Sequence, residues 1–133
     1  MASAPLLLIA RVLLAAMFLA SGYAALGDIQ GTAAYFAGLR LGPPVPLAWG
    51  VGFFELLGGV LLVIGLQTRA VALALALFAL AASFLGHYGQ GGDDQAAAVM
   101  HGQALLKDIA VAGGLVALAV QGAGTLSVDA RLR

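Results

Sequence analysis

The chain has 133 residues, 62% of them hydrophobic and 9% charged, with a mean hydropathy of +1.04. Soluble domains carry about 25% charged residues, so the composition excludes an ordinary soluble enzyme and predicts a membrane protein. Six basic residues balance six acidic ones and are scattered, which leaves no electrostatic footprint for nucleic acid, and the lack of cysteine excludes a disulfide, a thiolate metal site or a CxxC redox pair made by this chain alone.

The first apolar segment, Pro5–Leu26, contains a single charge, Arg11. It reads as a membrane span rather than a cleaved signal. No Lys or Arg precedes the apolar run, Arg11 interrupts it, and signal h-regions are shorter, about 7–15 residues. The loop that follows, "DIQGTAAYFAGLRLGPPVP", places Ile29, Ala33, Phe36 and Leu39 at helical spacing before Pro43, Pro44 and Pro46, which are expected to stop any helix. This pattern predicts a short helix lying in the membrane interface.

The second segment, Leu47–Leu66, is joined to the third, Arg69–Leu85, through "QTR" alone, which predicts a tight hairpin between them. After the polar, Gly-rich "HYGQGGDDQ", the fourth starts between Ala96 and Ala104 and ends near Gln121, and is taken as 100–121. About 20 apolar residues cross a bilayer core, and continuous Leu/Ala runs lack the alternation of a membrane β-barrel. The expected fold is all-α: a single-domain integral membrane four-helix bundle. Segments one and two, and then three and four, read as two helical hairpins that are weak repeats, with Gly58–Gly59 recurring as Gly113–Gly114. Both glycine pairs predict close helix contact, since small residues let backbones approach in lipid.

Basic residues are retained in the cytoplasm. Arg69, Arg131 and Arg133 share one side against Arg40 on the other, which predicts cytoplasmic termini. Tyr23, Tyr35, Trp49 and Tyr88 then gather near the outer face as an aromatic belt of lipid anchors.

The ionisable residues within the spans carry the functional question. Glu55 lies eight residues into its segment, about 12 Å deep, where a lone charge costs about 2.5–3.5 kcal/mol on insertion scales. Segment four runs inward from the same side and brings Lys107 to an overlapping depth, so Glu55–Lys107 is the expected pair. His87 closes segment three, and His101 lies seven residues before Asp108 on nearly the same helical face. Glu55, His87, His101, Lys107 and Asp108 together predict a polar, ligand-binding layer beneath the outer interface. Two readings stand: an ion pair that only fixes which helices meet, or a site for a polar head group, a quinone or a proton in transit. A metal shell is not expected, because no HxxxH or ExxH places ligands on one helix face. Arg11, about 9 Å from the inner edge, is expected to snorkel outward and to form a structural ion pair with Asp129 of the C-terminal "GTLSVDARLR". No nucleophile elbow, Walker loop or dinucleotide fingerprint occurs.

Taken in order, "RVLLAAMFLASGY", "FELLGGVLLVIGLQTRAVALAL", a histidine closing the third segment, "LLKDIAVAGGLVAL" and "GTLSVD" resemble the DoxX family of small four-helix membrane proteins. One departure is Ala25 in "SGYAAL", where many members carry a lysine. The resemblance implies a bundle in the bacterial inner membrane and an association with redox chemistry, since the family takes its name from a subunit of thiosulfate:quinone oxidoreductase. It implies that Arg11, Glu55, His87, Lys107 and Asp129 occupy positions the family keeps polar. It further implies a quinone as non-covalent ligand and a role as accessory or small subunit of an oxidoreductase. The lipid bilayer, a redox partner protein and a second copy of the chain are the partners consistent with this. A membrane scaffold and a small proton-coupled transporter are the alternatives.

Overall fold

The computed structural model describes residues 3–133. Among them the chain forms α1 (Ala4–Gly27), α2 (Ile29–Leu39), α3 (Pro44–Ile64), α4 (Thr68–Gly86), α5 (Gln95–Gln121) and α6 (Val128–Arg131), with no strand. Four of these, α1, α3, α4 and α5, are long and apolar enough to cross a membrane. Four crossings bring the start of α1 and α6 to one side, the α6 side, and leave α2 and the α4–α5 loop on the other, the α2 side.

Helix ends follow local chemistry. Asp28 caps α2 by accepting from the Gly31 amide at 2.9 Å, which the hydrophobic spacing alone did not reveal. As expected, α2 ends at Leu39 ahead of the prolines, and Pro44 and Pro46 then open α3, three residues before Leu47. The first turn has no intrahelical use for an amide proton, so proline fits there. Asp94 accepts from the Ala96 and Ala97 amides at 3.1 and 3.2 Å, so α5 begins at Gln95 rather than near residue 100. The α3–α4 turn is made by two left-handed residues, Gly65 (φ 73°) and Gln67 (φ 51°). Gly65 is required twice over, since a Cβ there would also run into the Arg11 guanidinium.

The helices associate chiefly as two pairs, α1 with α3 and α4 with α5, while α3 and α4 touch less despite their short connection. The two hairpins are therefore the packing units, and the tight α3–α4 hairpin expected from "QTR" is a turn between units. Backbone approach explains the first pair: a Cβ on Gly22 would lie 2.7 Å from the Leu56 amide nitrogen and 2.9 Å from the Gly52 carbonyl oxygen. The Gly58–Gly59 pair divides its work, Gly59 receiving Leu19 of α1 and Gly58 receiving Leu75 of α4. The second glycine pair corrects the expectation of close helix contact at both pairs. Gly113 faces open space and Gly114 meets only Leu14. On α4 the small residues Ala72, Ala76, Ala79 and Ser83, at spacings of four, three and four, form a buried stripe, as lipid-solvated helix packing requires. Phe18, Leu62, Leu75 and Leu115 fill the shared core.

Candidate functional site

Because the two helix pairs meet loosely toward the α2 side, a cavity of about 550 Å³ opens there. Ser21 and Ala25 of α1, Val51 and Glu55 of α3, and Phe78 and Ala82 of α4 contribute to its walls. Thr32, Tyr35, Phe36 and Leu39 of α2 also line it. Their spacing of three, one and three places them on one helical face, so α2 acts as a roof. The Thr32 hydroxyl ties that roof to α1 by donating to the carbonyl of Ala25 at 3.0 Å. The Tyr35 hydroxyl sits where a side chain on Gly86, at the end of α4, would otherwise be. Tyr35 is half exposed, and the partial burial of its phenol raises its pKa above the ordinary value. Ala81, Ala82 and Leu85 stay exposed along the cavity's open flank.

Glu55 is 8% exposed and is the one carboxyl side chain lining the cavity, where no Lys, Arg or His accompanies it. Ser21 is set beside its carboxyl group. Lys107 is not its partner. The Lys107 ammonium lies 3.2 Å from Oδ1 of the adjacent Asp108, with its side chain 61% exposed. An amine on a long flexible stem reaches outward at little cost, so the expected Glu55–Lys107 pair is replaced by a local one.

The remaining polar residues form a second cluster at the end of α4 and on α5. Nδ1 of His87 is 2.9 Å from Nδ1 of His101, and Nε2 of His87 is 3.9 Å from Oδ2 of Asp108. The expected layer is thus divided: His87, His101, Asp108 and Lys107 are brought together, while Glu55 faces the cavity apart from them.

The DoxX family pattern matches residues 6–88, which include most of α1, all of α2 to α4 and the cavity walls. The inner membrane protein YqjF of Escherichia coli (strain K12) is 30% identical over 125 residues, covering 92% of this chain and 88% of that protein. The chain belongs to the DoxX family. The inner membrane protein YphA of the same organism is 29% identical over 130 residues, covering 95% of this chain and 89% of that protein. No solved structure matches the chain.

Sequence reasoning about this DoxX protein missed Ser21, Tyr35, Phe36 and Phe78 as cavity residues. Tyr35 was expected to be a lipid anchor, and only Ser21 carried a signal, as a hydroxyl within an apolar span. Arg11 also departs from expectation. It does not snorkel but is fully buried, with Nη2 donating to the Leu126 carbonyl and Nε and Nη1 without partners. No salt bridge joins it to Asp129 among the described residues. Asp129 instead accepts from the backbone amides of Gln67 at 2.7 Å and Thr68 at 2.9 Å, capping α4 from the C-terminal tail. Free amides at a helix start attract a carboxylate more strongly than a distant guanidinium does. Burial there opposes the charged form, but the hydrogen bonds from Thr68 and Gln67 and the charge of Arg133 outweigh it and hold the Asp129 pKa below its ordinary value. Among the described residues no group of three or more His, Cys, Asp or Glu side chains gathers as a metal site.

Proposed function

We propose that this DoxX protein is an inner-membrane binding subunit that holds a membrane-dissolved ligand in the roofed cavity and serves a quinone-linked redox system as an accessory or small subunit. One observation carries the reading: a cavity within the usual ligand range of about 300–1,000 Å³ places a single buried carboxyl group among apolar walls. A quinone is neutral, with carbonyl oxygens that accept hydrogen bonds. Donors to match are the Ser21 and Tyr35 hydroxyls, and Glu55 when it carries its proton. Phe36, Phe78 and Leu85 supply the apolar contact for the rest of the molecule. The Thr32 hydroxyl is already committed to backbone carbonyls. A bound quinone would supply the electron-carrying chemistry. With no cysteine in the chain, a partner protein is the proposed source of electrons.

The relatives' names support an inner-membrane location. The distribution of arginines supports cytoplasmic termini, with Arg69, Arg131 and Arg133 on the α6 side and Arg40 on the other. A proton-coupled carrier is the second reading. It is favoured by the cavity reaching Glu55, with no basic side chain in the lining.

Extraction of the full chain in mild detergent tests the proposal. The parent should retain quinone, and Glu55→Gln and Tyr35→Phe should lose it while keeping the helical circular dichroism of the parent. A parent without quinone, or equal content in both variants, removes the quinone reading. Proton uptake by protein-containing vesicles on addition of a substrate would then favour the carrier, and its absence would leave a scaffold.

A further inference from the structure

The cluster that the cavity leaves unused has an arrangement of its own. Two Nδ1 atoms 2.9 Å apart share one hydrogen, so one imidazole donates where the other accepts. The opposite nitrogen of His87 faces Oδ2 of Asp108 at 3.9 Å, while Lys107 occupies Oδ1 and compensates the carboxylate's charge. Three groups able to carry a proton thus succeed one another from the polar α4–α5 loop into the bundle. Exposure falls along the way, from 28% for the His87 side chain to 14% for that of Asp108.

Helix register shows where this succession leads. Gly114 of α5 meets Leu14 of α1. Asp108 is six residues, about 9 Å, toward the α2 side from Gly114. Gly22 packs on Leu56 and Gly52, which brings Ser21 and Glu55 to the same depth. The 3.9 Å contact with His87 holds Asp108 nearer the α2 side than that layer, between Glu55 and His87 in depth. The contact of Gly58 with Leu75 sets Phe78 level with Glu55, Ser83 about 7.5 Å nearer the α2 side, and His87 about 6 Å beyond that. Ser83 lies on the α4 stripe one turn below His87, and its hydroxyl is fully buried without a hydrogen-bond partner. Such an orphan is costly unless a water or a proton-carrying neighbour uses it.

We propose that His101, His87 and Asp108 form a proton-transfer line from the aqueous edge of the bundle to Glu55 in the cavity. The line rests on the reading of Glu55 as the ligand's polar contact. A proton taken up at Nε2 of His101 releases the Nδ1 proton to Nδ1 of His87, which then releases its Nε2 proton to Oδ2 of Asp108. The last transfer needs the 3.9 Å gap to close to a hydrogen-bond length of about 2.8 Å or to be bridged by one water. Asp108 passes the proton to the Glu55 carboxylate through water beside the Ser83 and Ser21 hydroxyls. One proton enters and one arrives, no electron moves, and ring rotation restores the two tautomers. The groups facing the line are Lys107 on Asp108, Tyr35 from α2 and Ser21 from α1. Between Phe78 and His87, α4 adds Ser83 and no titratable side chain.

Time-resolved infrared spectroscopy after a pH jump tests this on the full chain in lipid vesicles. The protonated-carboxyl band lost in Glu55→Gln reports Glu55. Asp108→Asn and His87→Gln should slow its reprotonation about a hundredfold, the low end of what a positioned proton donor contributes, while the band keeps its frequency. His101→Ala should slow it likewise, and added imidazole should restore the rate, which a merely structural role would not allow. Unaltered rates in all three variants, a loss that imidazole leaves untouched, or no band that depends on Glu55 would overturn the line. Quinone retention is read separately. A parent that holds no quinone but shows line-dependent kinetics loses the function proposed above and keeps the line, and quinone held by Glu55 with line-independent kinetics does the reverse.

Discussion

Replacing Gly22 with alanine tests the packing that creates the cavity. The added Cβ would lie 2.7 Å from the Leu56 nitrogen, 2.9 Å from the Gly52 oxygen and 3.1 Å from the Leu56 Cα. All three are backbone atoms within α3, so no side-chain rotation relieves the contact. Reaching an ordinary separation of about 3.5 Å requires α1 and α3 to part by roughly 0.8 Å. Overpacking of this kind costs about 1–3 kcal/mol. Gly113→Ala is the matched control, since nothing lies within 4 Å of its Cβ and both changes carry the same gain in helix propensity, about 1 kcal/mol. Gly59→Ala should fall between them, because its closest neighbours are the Leu19 Cδ2 and Cγ at 2.8 Å, in a side chain that can move. Unfolding in mixed micelles with increasing denaturing detergent, followed by circular dichroism, gives the three midpoints. The expected order is Gly113→Ala most stable and Gly22→Ala least, separated by about 1–3 kcal/mol. Equal midpoints for Gly22→Ala and Gly113→Ala would refute the close backbone approach of α1 and α3. The same displacement carries Ser21 away from Glu55, so Gly22→Ala should also lower quinone retention.

On the α6 side, Asp129→Ala should cost about 1 kcal/mol as the loss of an α4 cap. The native carboxylate has a depressed pKa, so its contribution is present above the ordinary value of about 4 and is lost as pH falls through the folded-state value. Hydrogen exchange at Thr68 and along residues 122–133 should accelerate only in that acid range, and protection indifferent to acid would count against the cap. For Tyr35 the sign is opposite. Burial favours the neutral phenol, so the stability it contributes is present below about pH 10 and is lost as pH rises through the higher folded value. The phenolate absorbance difference between the parent and Tyr35→Phe should appear later than that of free tyrosine, and ionisation at the ordinary value would mean that the α2 roof does not shield it. Topology is tested with Asp93→Cys and Thr125→Cys, both at exposed positions in a chain without cysteine. An impermeant thiol reagent should label the first and not the second in intact cells, and the reverse pattern would invert the orientation.

The long apolar runs, the helical spacing of Ile29, Ala33, Phe36 and Leu39, and the place of Glu55 as the one charge within its own span were legible in the sequence. Each depends on local hydropathy or on the depth of a residue within its own helix. Partner choice is a matter of how helices rotate against one another, and spacing along one chain does not encode it. Lys107 was matched to Glu55 by depth, yet its flexible stem settles on Asp108, a neighbour at i+1 that helical geometry would not select. Asp129 was matched to Arg11 by side of the membrane, yet the free amides at the start of α4, available only once the tail folds across the α3–α4 turn, hold it instead. Gly58–Gly59 and Gly113–Gly114 read alike, but only the first pair is pressed between helices, because what a glycine faces is set by the neighbour and not by the glycine. The cavity is the clearest case. It exists because α1 closes on α3 and α4 on α5 more tightly than the pairs close on each other, and tertiary packing alone decides where that mismatch leaves room beside Glu55.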